Sequence, residues 1–195
     1  METMAKICST AERVTKITLG LRKFARETRS DPRMDASVQE IVEDTLSFCT
    51  QRMKQYAINL HVPSISPASR VGCKPAEISQ VLLNLLNNAV DAVHSLPEKW
   101  IELSVTETGK FWEIAVTDSG RGIPPNIREK MGQPFFTTKE VGKGTGLGLS
   151  ISRGIVEAHG GHLALDAESP HTRFVVTLPK SVVAQREAAL AGRIA

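Results

Sequence analysis

Apolar positions recur along this chain with more than one period, and each period marks a different kind of element. Ile7, Val14, Ile17, Leu21 and Phe24 are spaced 7-3-4-3. That is the a/d seam of a helix of about two dozen residues, with Arg13, Lys16, Arg22, Lys23 and Arg26 on its other faces. A helix with one narrow seam is marginal alone in water, so it either packs on its own domain or forms half of a helical hairpin. Ser30-Asp31-Pro32 ends it, because Pro32 disfavours helix at the residue before it. That break separates the helix from the remainder of the chain and favours the hairpin.

A second helix is expected from Ser37, where Ser37-Val38-Gln39-Glu40 fits a capping box. Val38, Ile41, Val42, Leu46, Phe48, Cys49 and Met53 give it a broad buried side. Ile58 to Val62 predicts a short strand. A third helix runs from about Pro75, suited to a first helical turn, to His94. The period then changes to two: Trp100 to Thr106 and Phe111 to Asp118 alternate as paired strands around Thr108-Gly109-Lys110. A helix from Leu147 to His159 ends at Gly160-Gly161, and strands follow at His162 to Asp166 and Arg173 to Leu178. This order predicts an α+β fold, a mixed sheet covered by helices on one face. After Pro179, Val182, Val183, Leu190 and Ile194 fit either a short helix or a linker. The expected division is 1–30, 31–180 and 181–195.

Composition narrows the function. The chain has 195 residues, 41% hydrophobic, enough for one full core and an appendage. Its net charge of +3 is spread along the chain, which argues against nucleic acid as a partner. Cys8, Cys49 and Cys73 lie outside any metal-ligand spacing and read as idle thiols of a reducing compartment. No apolar run approaches ~20 residues, so no membrane contact is expected and a cytoplasmic location is.

Three segments carry chemistry. In the first, Asn84-Leu-Leu-Asn-Asn88-Ala-Val-Asp91-Ala, the residues Asn84, Asn88 and Asp91 share one face of a mostly apolar helix. Polar groups in such a setting need partners, and a cation supplies one. Magnesium takes oxygen ligands while keeping waters and substrate phosphates, which makes the Asn88 amide oxygen the candidate ligand. In the second, Asp118-Ser-Gly120-Arg-Gly122-Ile123-Pro, Asp118 ends a strand on the face of Ile114 and Val116. Its carboxylate can accept from the exocyclic amine of adenine and would repel the carbonyl of guanine. Gly120 and Gly122 permit positive φ and close approach to a flat ring. In the third, Pro134 to Ile151, five of the chain's 14 glycines fall between Gly132 and Gly148, just before a helix. Free N–H groups and the positive end of the helix macrodipole suit phosphate, with Lys139 and Lys143 adding charge. The run fits neither a P-loop nor G-x-G-x-x-G.

In this order the segments resemble the ATP-binding domain of sensor histidine kinases, the fold shared with gyrase and mismatch-repair ATPases, over roughly Ser37 to Pro179. The resemblance implies a two-layer α/β sandwich binding ATP and Mg²⁺. It implies catalytic roles for Asn84, Asn88 and Lys139, with Asn88 as the metal ligand. It implies further nucleotide contacts from Asp118, Gly120, Gly122, Ile123, Phe136, Thr137, Thr138, Lys139 and Lys143. Gly144, Thr145, Gly146, Leu147, Gly148, Leu149 and Thr172 complete that set, with Phe135 and Phe136 pinning the lid when it closes. Gyrase-like members carry glutamate where Asn84 stands; an amide is no general base, which favours phosphoryl transfer over hydrolysis. The family usually has a glycine before its last strand; here Glu168-Ser169-Pro170-His171-Thr172 replaces it.

The resemblance also implies partners: a phosphoacceptor histidine on the first helix of the hairpin, absent from this chain, a response regulator, and a homodimeric parent with or without a membrane anchor. The five histidines, His61, His94, His159, His162 and His171, head no phosphoacceptor-like stretch, and His159 is expected at a helix C-terminus, where a partly charged ring is favoured. This chain is therefore expected to bind Mg-ATP without phosphorylating itself. Other readings are a nucleotide-binding regulatory module, as in anti-sigma serine kinases or a pseudokinase scaffold, and a gyrase-type ATPase.

Overall fold

A computed structural model describes residues 33–140 and 144–181. The helix expected over Ile7 to Phe24, Cys8, Lys143 and the segment from Val182 onward lie outside the described residues. The chain enters through β1 (Met34–Ser37) and passes directly into helix α1 (Val38–Gln55). The Ser37 hydroxyl accepts from the Glu40 N–H at 3.4 Å, as the capping sequence anticipated. Strands β2 (Asn59–His61) and β3 (Arg70–Cys73) precede the long helix α2 (Pro75–Val93). The hairpin of β4 (Trp100–Thr108) and β5 (Phe111–Asp118) turns at Gly109, where φ is 57°. A single turn, α3 (Pro125–Arg128), leads to the glycine-rich segment, then to α4 (Gly148–Ala158), β6 (His162–Leu165) and β7 (Thr172–Pro179).

Five strands form one mixed sheet in the order β2-β4-β5-β7-β6. β2 pairs parallel with β4, and the other neighbours are antiparallel. β1 and β3 make a separate antiparallel pair. Neither was expected: they pair with each other outside the main sheet, and that pairing joins segments far apart in the chain.

One face of the sheet carries the core. Ile101 and Leu103 of β4, Ile114 and Val116 of β5, and Val176 and Leu178 of β7 are buried against the helices. α2 packs against α1, α4 and β5, which is why it is the most apolar helix. Ile78, Val81, Leu82, Leu85, Leu86, Ala89, Val90 and Val93 are all buried on it. At about 1.5–3 kcal/mol per fully buried large aliphatic side chain, this helix contributes a large share of the fold's stability. Its remaining narrow polar strip, carrying Asn84, Asn88 and Asp91, is positioned as firmly as the core itself.

The buried side of α1 is narrower than its sequence suggests. Phe48 is 73% exposed, because the helix turns Thr45, Cys49 and Met53 inward instead. The thiols of Cys49 and Cys73 are free and buried, and burial pushes that of Cys73 up to about 12. His159 caps α4 from within the core: Nδ1 donates to the Ile155 carbonyl at 2.8 Å and Nε2 accepts from the Lys74 N–H at 3.1 Å. Both ring nitrogens are engaged at this helix C-terminus, and Nε2 also lies 3.8 Å from a Glu77 carboxylate oxygen. No helix among the described residues is long and apolar enough to cross a membrane.

Candidate nucleotide-binding site

The buried strand β5 delivers Asp118 to the end of the core, 4% exposed. Its Oδ1 accepts from the Gly120 N–H at 2.8 Å. Burial raises its pKa above the ordinary carboxylate value, opposed by the Gly120 N–H, the Thr172 hydroxyl and the charge of His171. A desolvated carboxylate at the end of the core is suited to accept hydrogen bonds from a ligand. Gly120 is needed here for space, not for a positive φ as the sequence suggested. A Cβ on it would lie 2.7 Å from Asp118 Oδ1, whereas Gly122 does adopt a φ of 79°. Thr172, the first residue of β7, pairs with Asp118 across the ladder. Ile123 packs on the core, and its carbonyl accepts from Arg128 Nε at 2.5 Å.

A second group lies on α2. Lys139, from the glycine-rich segment, donates to Asn88 Oδ1 at 3.0 Å and to Asp91 Oδ2 at 2.5 Å. The other oxygen of Asp91 takes Arg52 Nη2 at 2.5 Å, and Arg52 Nη1 donates to Asn87 Oδ1 at 2.9 Å. Burial alone would raise the pKa of Asp91. The hydrogen bonds and charges of Lys139 and Arg52 outweigh it and hold the carboxyl below its usual range. Asp91 is thus the hub that ties the segment's lysine to two helices. The i, i+7 spacing from Asn84 places Asp91 on this polar face without a phosphate contact, and nothing local in the sequence marks Arg52 as its partner.

This contact also tests the magnesium expectation. Asn88 presents its amide oxygen away from the core and already accepts a cationic donor there. An oxygen so placed, with room for a charged group, fits one protein ligand of a magnesium ion that keeps waters and phosphates for its other positions. Among the described residues, no cluster of three or more His, Cys, Asp or Glu side chains offers an alternative metal site.

The third group is the start of α4. Asn84 Nδ2 donates to Ser152 Oγ at 3.0 Å, and a Cβ on Gly148 would collide with Asn84 Oδ1. Gly148 is thus what lets α4 begin against α2. Its N-cap, Leu147, supplies no side-chain cap, so the first N–H groups of an 11-residue helix remain available to an anion. Upstream, Thr145 Oγ1 accepts from the Leu147 N–H at 3.3 Å and Thr137 Oγ1 from the Lys139 N–H at 3.2 Å. Gly144 lies against Thr137 and Lys139, and Phe135 N–H donates to the Gly146 carbonyl at 2.9 Å. Phe136 is partly buried and Thr138 exposed, while Leu149 packs on the core. Phe135 is 60% exposed at a φ of 68°, so of the pair expected to pin the segment only Phe136 is partly buried.

A deeply buried carboxylate, a presented amide oxygen and an uncapped helix start lie together on a mixed sheet with helices on one face, an arrangement suited to a nucleotide. Residues 73–182 match the model of the histidine kinase-, DNA gyrase B- and HSP90-like ATPases, and the chain belongs to that family. It is 35% identical over 92% of its length to the C4-dicarboxylate transport sensor protein DctB of Rhizobium meliloti, spanning 28% of that protein. To sensor histidine kinase ZraS of Salmonella typhimurium it is 32% identical over 95% of its length, spanning 38% of that protein. The catalytic domain of histidine kinase ThkA, in a nucleotide-free form, superimposes with a TM-score of 0.68 at 30% identity, covering 77% of this chain and 97% of ThkA's. The chain therefore corresponds to a minor part of its curated relatives' length and to nearly all of an isolated catalytic domain.

Proposed function

We propose that this chain is the ATP-binding catalytic part of a two-component sensor histidine kinase. It binds Mg-ATP and presents the γ-phosphoryl group to a histidine on a helix outside this chain, for relay to a response-regulator aspartate. The observation that carries this is the pairing of Asn88 with Lys139: a presented oxygen and a side-chain cation meet where a metal–phosphate unit would have to sit. Asp118 orients the base by accepting from the adenine amine, with Thr172 beside it. The N–H groups at the start of α4, together with Gly144, Thr145, Gly146 and Lys143, receive phosphate oxygens. Lys139 exchanges its contacts with Asn88 and Asp91 for the nucleotide's negative charge. The Asn88 amide oxygen would hold a magnesium ion, which would supply charge neutralisation for the phosphates.

Asn84 favours transfer over hydrolysis. Its amide is no base, and its hydrogen bond to Ser152 engages it in structure rather than with water. Of the histidines, His159 is buried in the core and His171 sits beside Asp118, while His61, His94 and His162 are exposed. The donor reading therefore rests on the absence of a phosphoacceptor-like sequence around them rather than on burial. Residues 1–30 are read as the second helix of the dimerisation hairpin and the parent as a cytoplasmic-facing homodimer. A response-regulator partner is supported by ThkA, which has been solved with its regulator TrrA.

The test is transfer of label. Incubated with γ-labelled Mg-ATP and a histidine-bearing hairpin from the parent protein, this chain should place alkali-stable, acid-labile phosphate on the hairpin and none on itself. Label on this chain alone, or release of phosphate with no label on the hairpin, contradicts the assignment.

A further inference from the structure

The turn after Asp118 is held from two sides, and one hold comes from a residue outside the nucleotide segments. On the β4 side, Ser119 N–H donates to the Trp100 carbonyl at 3.1 Å, and its hydroxyl donates to the Glu98 carbonyl at 2.8 Å. The Trp100 N–H reaches Ser119 Oγ at 3.4 Å. On the β7 side, the Gly120 carbonyl accepts from the Thr172 N–H at 3.3 Å and meets His171 Nδ1 at 3.2 Å. A carbonyl has no hydrogen to give, so the proton lies on Nδ1. The His171 ring in turn meets the Trp100 ring edge-on, with centroids 4.8 Å apart and planes at 78°. Edge-to-face rings at this separation attract beyond their area of contact. The contacts thus close a circuit from Trp100 through Ser119 and Gly120 to His171 and back.

Gly120 is the member of this circuit that touches the base-reading carboxylate, since its N–H donates to Asp118 Oδ1 at 2.8 Å. We infer that His171, braced on Trp100, is a positioning residue that fixes Gly120 and through it aims Asp118 at the exocyclic amine of adenine. This rests on the adenine-nucleotide reading of the site. It also gives a physical meaning to the missing glycine before the last strand. The substitute, Ser169-Pro170-His171, forms a tight approach in which Ser169 Oγ accepts from the His171 N–H at 3.2 Å. Proline fixes its own φ, and the approach delivers an imidazole where the family leaves bare backbone. Backbone freedom is exchanged for a side-chain clamp.

A clamp acting through Asp118 and a residue that merely packs differ in what they change. The clamp affects a ligand carrying the amine and spares one lacking it. The experiment titrates the full chain calorimetrically with Mg-ATP and with the magnesium complex of purine riboside triphosphate, which has hydrogen in place of the amine. His171→Phe keeps a ring against Trp100 and removes the donor. It should bind ATP roughly three- to ten-fold more weakly, the worth of one hydrogen bond, and bind the amine-free nucleotide unchanged. His171→Asn places an amide N–H near the position of Nδ1. Having lost the ring contact with Trp100, it should bind ATP more tightly than His171→Phe but short of wild type. Trp100→Leu, which removes the brace alone, keeps the test open if the phenylalanine variant does not fold, because it should weaken ATP and spare the amine-free nucleotide.

Undiminished ATP binding by His171→Phe overturns the inference and leaves the nucleotide reading standing. So does an equal loss for both nucleotides, or a loss in His171→Asn as large as in His171→Phe. Failure of the wild-type chain to bind either nucleotide overturns the nucleotide reading itself, and the clamp with it.

Discussion

Replacing Asp118 with asparagine separates what this residue does for binding from what it costs the fold. Asparagine is nearly isosteric and keeps an oxygen to accept from Gly120 N–H, now 2.8 Å from Asp118 Oδ1. It loses the charge. A hydrogen bond to a charged acceptor is worth about 1.5–3 kcal/mol, so ATP should bind roughly 10- to 150-fold more weakly to Asp118→Asn. Stability should move the other way. Burial raises the folded-state pKa of Asp118 above its unfolded value, so the folded protein holds this proton more tightly than the unfolded chain does. The stability this contributes is complete below the unfolded pKa and is lost as pH rises through the folded one. Above that window, the folded state bears a charge in a site only 4% exposed. Asp118→Asn should therefore show no such decline and should equal or exceed wild-type stability at neutral pH. The assays are urea unfolding from pH 4 to 8 and calorimetric titration with Mg-ATP. Wild-type affinity in the variant, or destabilisation by several kcal/mol at neutral pH, would refute the reasoning.

Three further outcomes are expected from the same geometry. Asp91→Asn removes the partner shared by Arg52 and Lys139, whose side chains are about a third exposed. At about 0.2–1 kcal/mol for each such pair, unfolding should register a loss of about 1 kcal/mol. Because the pKa of Asp91 is depressed, that loss should be present above the unfolded pKa and vanish as pH falls through the folded one. Lys139→Met should weaken Mg-ATP binding about ten-fold while leaving adenosine affinity unchanged; calorimetry with both ligands checks it, and an equal effect on adenosine would place Lys139 elsewhere. Gly148→Ala forces a Cβ into Asn84 Oδ1 and should destabilise by about 1–3 kcal/mol in thermal unfolding.

The range of the interactions decided which features were legible in the sequence. The period of α2 and the alternation of β4, β5 and β7 are properties of neighbouring residues repeated over many turns or pleats, so their positions could be read directly. Asp118 was legible for the same reason, as the last in-facing position after Ile114 and Val116. Phe48 was not, because a helix can tilt its buried arc by one residue to satisfy packing that only the tertiary structure defines. β1 and β3 were missed because their pairing joins short segments some 35 residues apart. The Arg52–Asp91–Lys139 hub escaped for a related reason: its members lie on α1, α2 and the glycine-rich segment, and no local pattern links them. His171 was visible as one of five histidines and as part of the segment that replaces the expected glycine, with no positioning role attached. Its meaning required the Gly120 carbonyl and the Trp100 ring to be placed beside it.

The central claim is that a nucleotide is held through a divalent cation by the amide oxygen of Asn88. Calorimetric titration of wild type and Asn88→Ala with ATP, each with magnesium and with excess EDTA, addresses it most directly. Wild type should bind much more tightly with magnesium than without, and Asn88→Ala should bind weakly and almost equally in both. Magnesium-independent binding by wild type, or an undiminished magnesium effect in Asn88→Ala, would contradict the claim.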